Sequence, residues 1–186
     1  MLNLKNVTLC GFCWGDHYVE ETLHSMLICM DQVSFEDAIL ITNAKNPEGV
    51  EKHGIRICNT ELNLNNNLKD DDSNRHSYSN VFLDNINKFV ESDFCLNIQT
   101  DSTIINPLCW DDTFLDYDYI GAPWPIPILN SSDMCAGRIR DFPNTVGNGG
   151  FSIRSKKFLE ESVKVETFHK NEDLNVCIFN YKTMKD

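Results

Sequence analysis

The sequence is poor in basic residues and has no long apolar run. Its 186 residues include 28 acidic and 16 basic side chains, and the formal net charge is −12. Because lysine and arginine normally supply the affinity for a nucleic-acid backbone, we expect no nucleic-acid partner. No run approaches the ~18 consecutive apolar residues of a membrane-spanning helix, and we therefore expect no transmembrane segment.

The sequence also lacks the marks of a secreted protein. Its first residues, MLNLKNVTLCGF, carry one early lysine and no small-residue cleavage site, so we expect no signal peptide. Eight cysteines would permit a disulfide framework in a small secreted chain. Here Cys29, Cys58, Cys95 and Cys177 lie within apolar runs, a position typical of small core side chains. We therefore expect reduced thiols and a cytoplasmic protein.

What is present indicates a folded α/β domain. A hydrophobic content of 41% in a chain of this length is sufficient for the core of one domain over residues 1–186, either as a whole protein or as one domain of a longer one. Short apolar runs that predict strands occupy residues 7–12, 38–42, 55–58 and 94–98. After the first run, apolar residues recur at helical spacing from Val19 to Met30, with Asp16 as the predicted helix cap. Strands that alternate with helices indicate a mixed, mainly parallel sheet flanked by helices.

The second half of the chain contains a polar segment and further helix signals. Residues 63–76, NLNNNLKDDDSNRH, predict a solvated loop. Ser77 or Ser79 is predicted to begin the helix that follows. Ser155 and Asn171 are predicted to cap two later helices.

One carboxylate stands where a buried strand is predicted to end. The run FCLNI is followed by Gln99, Thr100, Asp101 and Ser102. Ligands of open α/β sheets bind at the carboxyl ends of the strands. A carboxylate at that place can hold a hard divalent cation, which in turn binds phosphate oxygens. The same residue types form Asx turns and helix caps, so Asp101 alone does not distinguish a metal ligand from a turn residue.

Two later segments add to this pattern. The segment VGNGGFSIRS places Gly147, Gly149 and Gly150 before a strand, which permits a ligand to approach the backbone closely, although a tight turn would use the same residues. It is not a phosphate-binding P-loop, because no Gly-Lys-Ser/Thr follows. Glu172 and Asp173 fall in the first turn of a predicted helix, where acids complement the helix dipole and can also serve as a base.

Taken together and in this order, QTDS, DYDYIGAPW, GNGGFSIRS and the Glu172-Asp173 pair resemble the motifs of the GT-A-type nucleotide-sugar glycosyltransferases. The resemblance is most specific over residues 94–178. It implies a single-domain GT-A-like, Rossmann-like fold and the transfer of a sugar from a nucleoside-diphosphate sugar, UDP-linked, to a hydroxyl group of a glycan or another acceptor, with inversion. Asp101 matches the last aspartate of the family's D-x-D metal motif, which implies Mn or Mg as a cofactor. Gln99 stands in place of the first aspartate.

The same resemblance implies roles for further residues. The base that accepts the proton of the acceptor hydroxyl would be Asp173 or, in its place, Glu172. Trp124 would face the acceptor. The residues that it places at the donor are Phe12, Cys13, Trp14, Thr42, Asn43, Arg75, Tyr78, Gln99, Thr100, Ser102, Gly149 and Gly150.

Two other functions fit parts of the sequence. A non-catalytic module that binds a nucleotide sugar or a carbohydrate would keep the same motifs without turnover. Cys10-Gly-Phe-Cys13 lies between a strand and a helix, which is the setting of a C-x-x-C redox pair. Because Asp16 is the predicted cap, both thiols precede the helix N-terminus, and this disfavours a thiol oxidoreductase. No second C-x-x-C or H-x-x-x-H pair completes a zinc site.

Overall fold

The structure, a computed structural model, is described here for residues 1–45, 47–60, 72–124, 146–166 and 171–184, with only the backbone for residues 72–78 and 81. Within these ranges six strands form one sheet. The strands are β1 (Leu2–Cys13), β2 (Val33–Thr42), β3 (Arg56–Asn59), β4 (Phe94–Ile98), β5 (Tyr119–Pro123) and β6 (Val146–Ser155).

Helices occupy the segments between and after the strands. The α-helices are α1 (Val19–Gln32), α2 (Asp72–Phe89), α3 (Lys156–Ser162), α4 (Glu172–Leu174) and α5 (Tyr181–Met184). A π-helical segment, Asn175–Phe179, joins α4 to α5. No helix within the described ranges has the length and apolar character needed to cross a membrane.

The strand order across the sheet is β3-β2-β1-β4-β6-β5. Strands β1 to β4 run parallel to one another, whereas β6 runs antiparallel to both of its neighbours, β4 and β5. The predicted α/β class, with a mixed and mainly parallel Rossmann-like sheet flanked by helices, is therefore confirmed. The reversed direction of β6 matters for function, because it brings the beginning of that strand to the edge at which β1, β2 and β4 end.

Side chains alternate between the two faces of the sheet, as the two-residue period of a strand requires. One face packs against α1, where Leu9, Leu40 and Leu96 meet Met26 and Cys29. On the other face Phe12, Ile39 and Ile41 pack against Phe82 and Ile86 of α2 and against Leu159 of α3. Both faces are thus buried, which explains the near-continuous apolar runs of the parallel strands.

Several predicted boundaries were wrong. Strand β1 begins at Leu2 instead of Val7, because Leu4 is buried between exposed neighbours and so continues the alternating pattern of a strand. Helix α2 begins at Asp72, so the predicted loop over residues 63–76 is helical in its last part; its earlier part, up to residue 71, lies outside the described residues.

The predicted caps had mixed outcomes. The Ser155 hydroxyl accepts the N–H of Phe158 at 3.0 Å, so this cap is confirmed. Asn171 occupies the cap position of α4, but its side chain makes no capping hydrogen bond. Asp16 does not cap α1, because it begins a 3₁₀ turn ahead of that helix and its carboxylate accepts the backbone N–H of Lys45 at 2.8 Å.

Candidate functional site

The candidate site lies at the carboxyl edge of the sheet. In the register between β4 and β6, Ile98 pairs with Phe151. The residues just before Phe151 therefore lie beside those just after Ile98. Gly149 and Gly150 belong to β6 itself and do not form the predicted turn ahead of it. This register brings two of the predicted segments, QTDS and GNGGFS, next to each other.

The Asp101 turn is held by helix α1. The N–H of Ser102 donates to the carbonyl oxygen of Gln99 at 3.1 Å, which closes the turn. The Ser25 hydroxyl donates to the carbonyl oxygen of Thr100 at 2.8 Å. Asp101 itself is exposed. The carboxylate therefore projects from a turn whose backbone is fixed, and it is accessible to a ligand.

Ser102 connects this turn to β6. Its hydroxyl oxygen lies 3.3 Å from Asp101 Oδ1 and 3.2 Å from the carbonyl oxygen of Gly150, and it can donate to either. Gln99 also approaches β6, since a Cβ atom on Gly150 would lie 2.8 Å from Gln99 Oε1. A larger residue in place of Gly150 would displace the end of the Gln99 side chain.

Gly149 is the centre of a buried polar cluster. Its N–H donates to Asp173 Oδ2 at 3.1 Å. Its carbonyl oxygen accepts hydrogen bonds from Asn97 Nδ2 at 2.8 Å, from the Ser152 hydroxyl at 3.0 Å and from Arg154 Nη2 at 3.4 Å. All four side chains are buried. Both backbone groups of Gly149 are therefore bonded within the protein.

The reason for a glycine at position 149 differs from the predicted one. A Cβ atom on Gly149 would lie 2.5 Å from Arg154 Nη2 and 2.7 Å from Glu172 Oε1. The missing side chain makes room for this buried ion pair and not for a ligand. The predicted donor contact of Gly149 is thus replaced by a structural role, because its polar groups and the space beside it are taken by the protein.

The buried ion pair joins Arg154 to Glu172. Arg154 is 1% exposed, and its Nη2 lies 3.4 Å from Glu172 Oε1. The guanidinium carbon lies 4.5 Å from the ring centroid of Phe82 and 5.4 Å from that of Tyr119. Buried charges of this kind are stable when they are paired and surrounded by further partners. Arg154 is not among the predicted site residues. Its position within the strand GFSIRS, two residues from Ser152 on the same face, was nevertheless a signal for a buried guanidinium.

Among the carboxyl groups of the described residues, Asp173 has the pKa that departs furthest from its ordinary value. Its Oδ1 accepts the N–H of Leu174 at 2.7 Å, and its side chain is buried in the polar cluster. Burial raises the pKa of Asp173 to about 7, and the neighbouring Glu172 carboxylate adds to the rise, whereas the N–H groups of Gly149 and Leu174 oppose it. A pKa near neutrality suits a group that must accept a proton at physiological pH.

The ends of β1 and β2 lie on the other side of the Asp101 turn. Phe12, Cys13 and Thr42 are buried, with exposed fractions of 3%, 3% and 0%. Direct contact of these side chains with a nucleotide base does not agree with that burial, so they shape the edge from within the core. Trp14 is half-buried and stacks on Phe12. Asn43 accepts the N–H of Gly15 at 2.8 Å and ties the ends of the two strands together.

Three predicted site residues remain, namely Trp124, Arg75 and Tyr78. Trp124 is half-buried directly after β5, and its ring lies 3.6 Å from the position of a Cβ atom on Gly147, at the beginning of β6. This puts the predicted acceptor residue near the segment that holds Asp173. Arg75 and Tyr78 fall in α2, but their side chains lie outside the described residues.

The two thiols of the C-x-x-C motif lie on opposite faces of the sheet. Cys10 packs in the cluster beneath α2, and Cys13 packs in the cluster beneath α1. Three residue steps of extended strand separate their Cα atoms by roughly 10 Å, which is too far for a disulfide. Burial raises the pKa of both thiols. These features oppose the low-pKa, pairable thiols that an oxidoreductase needs.

The described residues of the site provide few ligands for a metal ion. Within the described residues, no three His, Cys, Asp or Glu side chains come together as a metal-binding group. Asp101 offers a single exposed carboxylate. Mg²⁺ is commonly bound by one or two carboxylates together with substrate phosphates and water. The residues present therefore fit a cation that arrives with a diphosphate, and they do not form a cage for a cation alone.

Two surface depressions lie at the opposite edge of the sheet. Both are lined by Glu36 and Asp37, and neither is lined by a residue of the candidate site. Ligands of parallel sheets bind at the carboxyl edge, so both depressions lie away from the edge where a ligand is expected.

Comparison with known proteins identifies a family. The family model with the description "Protein of unknown function (DUF5672)" matches residues 63–185. The match includes Asp101, Gly149, Glu172 and Asp173, and it begins after β3. No curated protein gives a significant match. Because the family model covers more than half of the chain, the protein belongs to the DUF5672 family.

Proposed function

We propose that the protein is a GT-A-type glycosyltransferase that moves a sugar from a nucleoside-diphosphate sugar, UDP-linked, to a hydroxyl group of a glycan or another acceptor. The observation that carries this proposal is the convergence of two separate acids on consecutive residues of β6. Asp101 is linked through Ser102 to Gly150, and Asp173 is bonded to Gly149. The exposed and the buried carboxylate thus flank one short segment of the carboxyl edge, where α/β folds bind their ligands.

Asp101 supplies the donor side of this proposal. With Mg or Mn bound, its exposed carboxylate would hold the cation against the diphosphate of the donor. Such a cation offsets the negative charge that develops on the departing diphosphate. The turn is fixed by Ser25 and by Ser102, so Asp101 needs little reorganisation to hold the cation.

Asp173 supplies the acceptor side. Its carboxylate would accept the proton of the attacking hydroxyl group at one of its oxygen lone pairs, while the N–H groups of Gly149 and Leu174 hold it in place. An attack assisted from the face opposite the departing diphosphate inverts the anomeric carbon. Trp124, near the beginning of β6, would present an aromatic face to the acceptor sugar.

A cytoplasmic location belongs to the same proposal, and the free state of the described cysteines supports it.

A second candidate is a module that binds the nucleotide sugar without turnover. It is favoured by one observation, namely that Asp173 is only 6% exposed and that both of its oxygens already accept backbone N–H groups. Under this alternative Asp173 would serve the fold, and the donor would still bind at Asp101.

A thermal-shift panel of UDP-, GDP-, CMP- and dTDP-linked sugars, each with and without MnCl₂, tests the proposal. A matching donor at 100 times its dissociation constant should stabilise the fold by ~2.7 kcal/mol, which corresponds to roughly 5–10 °C in a chain of this size. Release of the free nucleoside diphosphate in the presence of a glycan acceptor then separates an enzyme from a binding module. If no donor shifts the melting temperature with or without metal, both candidates are wrong.

A further inference from the structure

The Arg154 guanidinium contacts both Gly149, which bonds Asp173, and Glu172, which precedes Asp173 in the chain. Its Nε donates to the Ser152 hydroxyl at 3.0 Å, and its Nη2 lies 3.4 Å from both the Gly149 carbonyl oxygen and Glu172 Oε1. Arg154 thus bonds the carbonyl group of Gly149, while the N–H of the same residue donates to Asp173. A change at Arg154 is therefore transmitted to Asp173 through one residue.

The two neighbouring acids, Glu172 and Asp173, have different partners. Glu172 Oε1 lies beside Arg154 Nη2 and would be 2.7 Å from a Cβ atom on Gly149, so it is directed into the buried cluster. Asp173 has no ion pair shorter than 4 Å within the described residues, and its bonds go to the N–H groups of Gly149 and Leu174. The Arg154 guanidinium therefore has one close carboxylate, that of Glu172, and the Asp173 carboxylate lies next to this ion pair.

We propose that Arg154 and Glu172 are positioning residues, and that this buried pair fixes the backbone of Gly149 and balances the charge around Asp173, the acid that acts on the acceptor. This inference rests on the proposed function for the role of Asp173. It removes Glu172 from the candidates for the base, because its carboxylate is committed to Arg154.

Four ionisable groups face Asp173 from the elements packed around it. Glu172 belongs to the same helix, α4, and Arg154 to β6, while Tyr119 of β5 and Cys177 of the π-helical segment complete the set among described residues. Burial raises the pKa of Tyr119 and of Cys177, so both are neutral near pH 7. The charges that act on Asp173 at that pH are therefore those of Arg154, which lowers its pKa, and of Glu172, which raises it.

The test follows the titration of Asp173 directly, by ¹³C NMR of its side-chain carboxyl group in the full chain. The resonance is assigned by its loss in Asp173→Asn. The variants are Arg154→Met, Arg154→Lys, Glu172→Gln and the double variant Arg154→Met/Glu172→Gln. The double variant removes both charges of the pair and leaves no buried charge without a partner, so its fold should be the least disturbed.

We expect opposite shifts from the two single charge removals. Arg154→Met should move the titration midpoint of Asp173 up, and Glu172→Gln should move it down by the larger amount, because Glu172 influences the pKa of Asp173 more strongly than Arg154 does. Arg154→Lys should keep a midpoint closer to that of the wild type than Arg154→Met does, because the charge is retained. The double variant should fall between the two single ones.

A merely structural Arg154 would behave differently. An unchanged midpoint in Glu172→Gln would overturn the inference, even if Arg154→Met fails to fold. A shift in the same direction for all the variants would also overturn it, since loosened packing and not charge would then be the cause. The titration needs no donor or acceptor, so its result stands apart from that of the transferase assay.

Discussion

Asp173 accepts the backbone N–H of Gly149, with 3.1 Å between Asp173 Oδ2 and the Gly149 nitrogen. The next residue along the strand, Gly150, accepts from the Ser102 hydroxyl, which also lies beside Asp101. Two carboxylates that are far apart in the sequence are therefore brought near one dipeptide of β6, Asp173 by a direct hydrogen bond and Asp101 through its neighbour Ser102. Their separation is set by the antiparallel pairing of β6 with β4, which is built into the sheet and does not depend on a ligand.

The first prediction concerns the exposed carboxylate. Asp101→Asn should abolish the metal-dependent part of the thermal shift produced by the donor, because the amide is a poorer ligand for a hard cation than a carboxylate. The melting temperature without ligand should change little, since Asp101 is exposed and surface substitutions are usually within ±0.5 kcal/mol. Both quantities come from the same thermal-shift measurement.

Asp93→Asn is the matched control. Asp93 is an exposed acid directly before β4, at the opposite end of the strand that leads to Asp101. Its removal changes the net charge by the same amount, so it should leave the metal-dependent shift intact. An Asp101→Asn protein that keeps the metal dependence of the wild type would exclude Asp101 as a metal ligand.

Much of the sheet could be predicted because its strands are buried on both faces and appear as apolar runs. The antiparallel direction of β6 could not, since nothing in VGNGGFSIRS distinguishes an antiparallel partner of β4 from a parallel one. The beginning of β1 was missed because Asn3 and Lys5 interrupt the apolar run, although the alternation with Leu4 continues the strand.

The candidate site was predictable only in part. The Asp101 turn follows from the position of a carboxylate after a buried strand, which is a local pattern. The Arg154–Glu172 pair depends on a contact between β6 and α4, and the space for it depends on Gly149, so it required the tertiary structure. The burial of Phe12 and Thr42 also could not be read from the sequence, because residues at a strand end face either a ligand or a helix.

The second prediction concerns the thiols. Iodoacetamide applied to the native protein should modify Cys109, which is exposed, much faster than Cys10 or Cys13, which are buried and whose pKa values are raised by burial. Mass spectrometry of the peptides after timed quenching measures each rate, and a sample unfolded in urea gives the upper limit. Rapid modification of Cys10 and Cys13 in the native protein would restore the thiol oxidoreductase as a candidate.

The third prediction is a pH dependence of stability. An unfolded aspartate has a pKa near 3.9, whereas burial raises the pKa of Asp173 to about 7. Between these values the folded state binds more protons than the unfolded state, so this group lowers the free energy of unfolding as the pH rises from about 4 to about 7, and its effect is constant above that. Asp173→Asn cannot titrate and should lose this decline.

Urea unfolding of the wild type and of Asp173→Asn at pH 5, 6, 7 and 8 measures this pH dependence of the free energy of unfolding. The difference in free energy of unfolding between Asp173→Asn and the wild type should move in favour of the variant as the pH rises. Asp93→Asn serves as the control, since it removes an exposed carboxylate and leaves Asp173 in place. Parallel pH profiles of Asp173→Asn and the wild type would show that Asp173 is ionised in the folded state throughout this range.

The last prediction separates the two acids by their kinetics. Asp173→Asn should bind the donor as the wild type does, because Asp101 is the proposed donor contact, and should transfer sugar ~10²–10⁴-fold more slowly, the usual loss when a general base is removed. The wild-type rate should rise with pH and level off above about 7, since the base must be ionised. Glu172→Gln should retain transfer with its pH profile displaced to lower pH, because the negative charge that raises the pKa of Asp173 is gone. Calorimetry measures the donor affinity, and initial rates of nucleoside-diphosphate release from pH 5 to 9 measure the transfer rate and its pH profile. Full transfer activity in Asp173→Asn would exclude it as the base, and a loss in Glu172→Gln as large as that expected for Asp173→Asn, at every pH, would place the base at Glu172 instead.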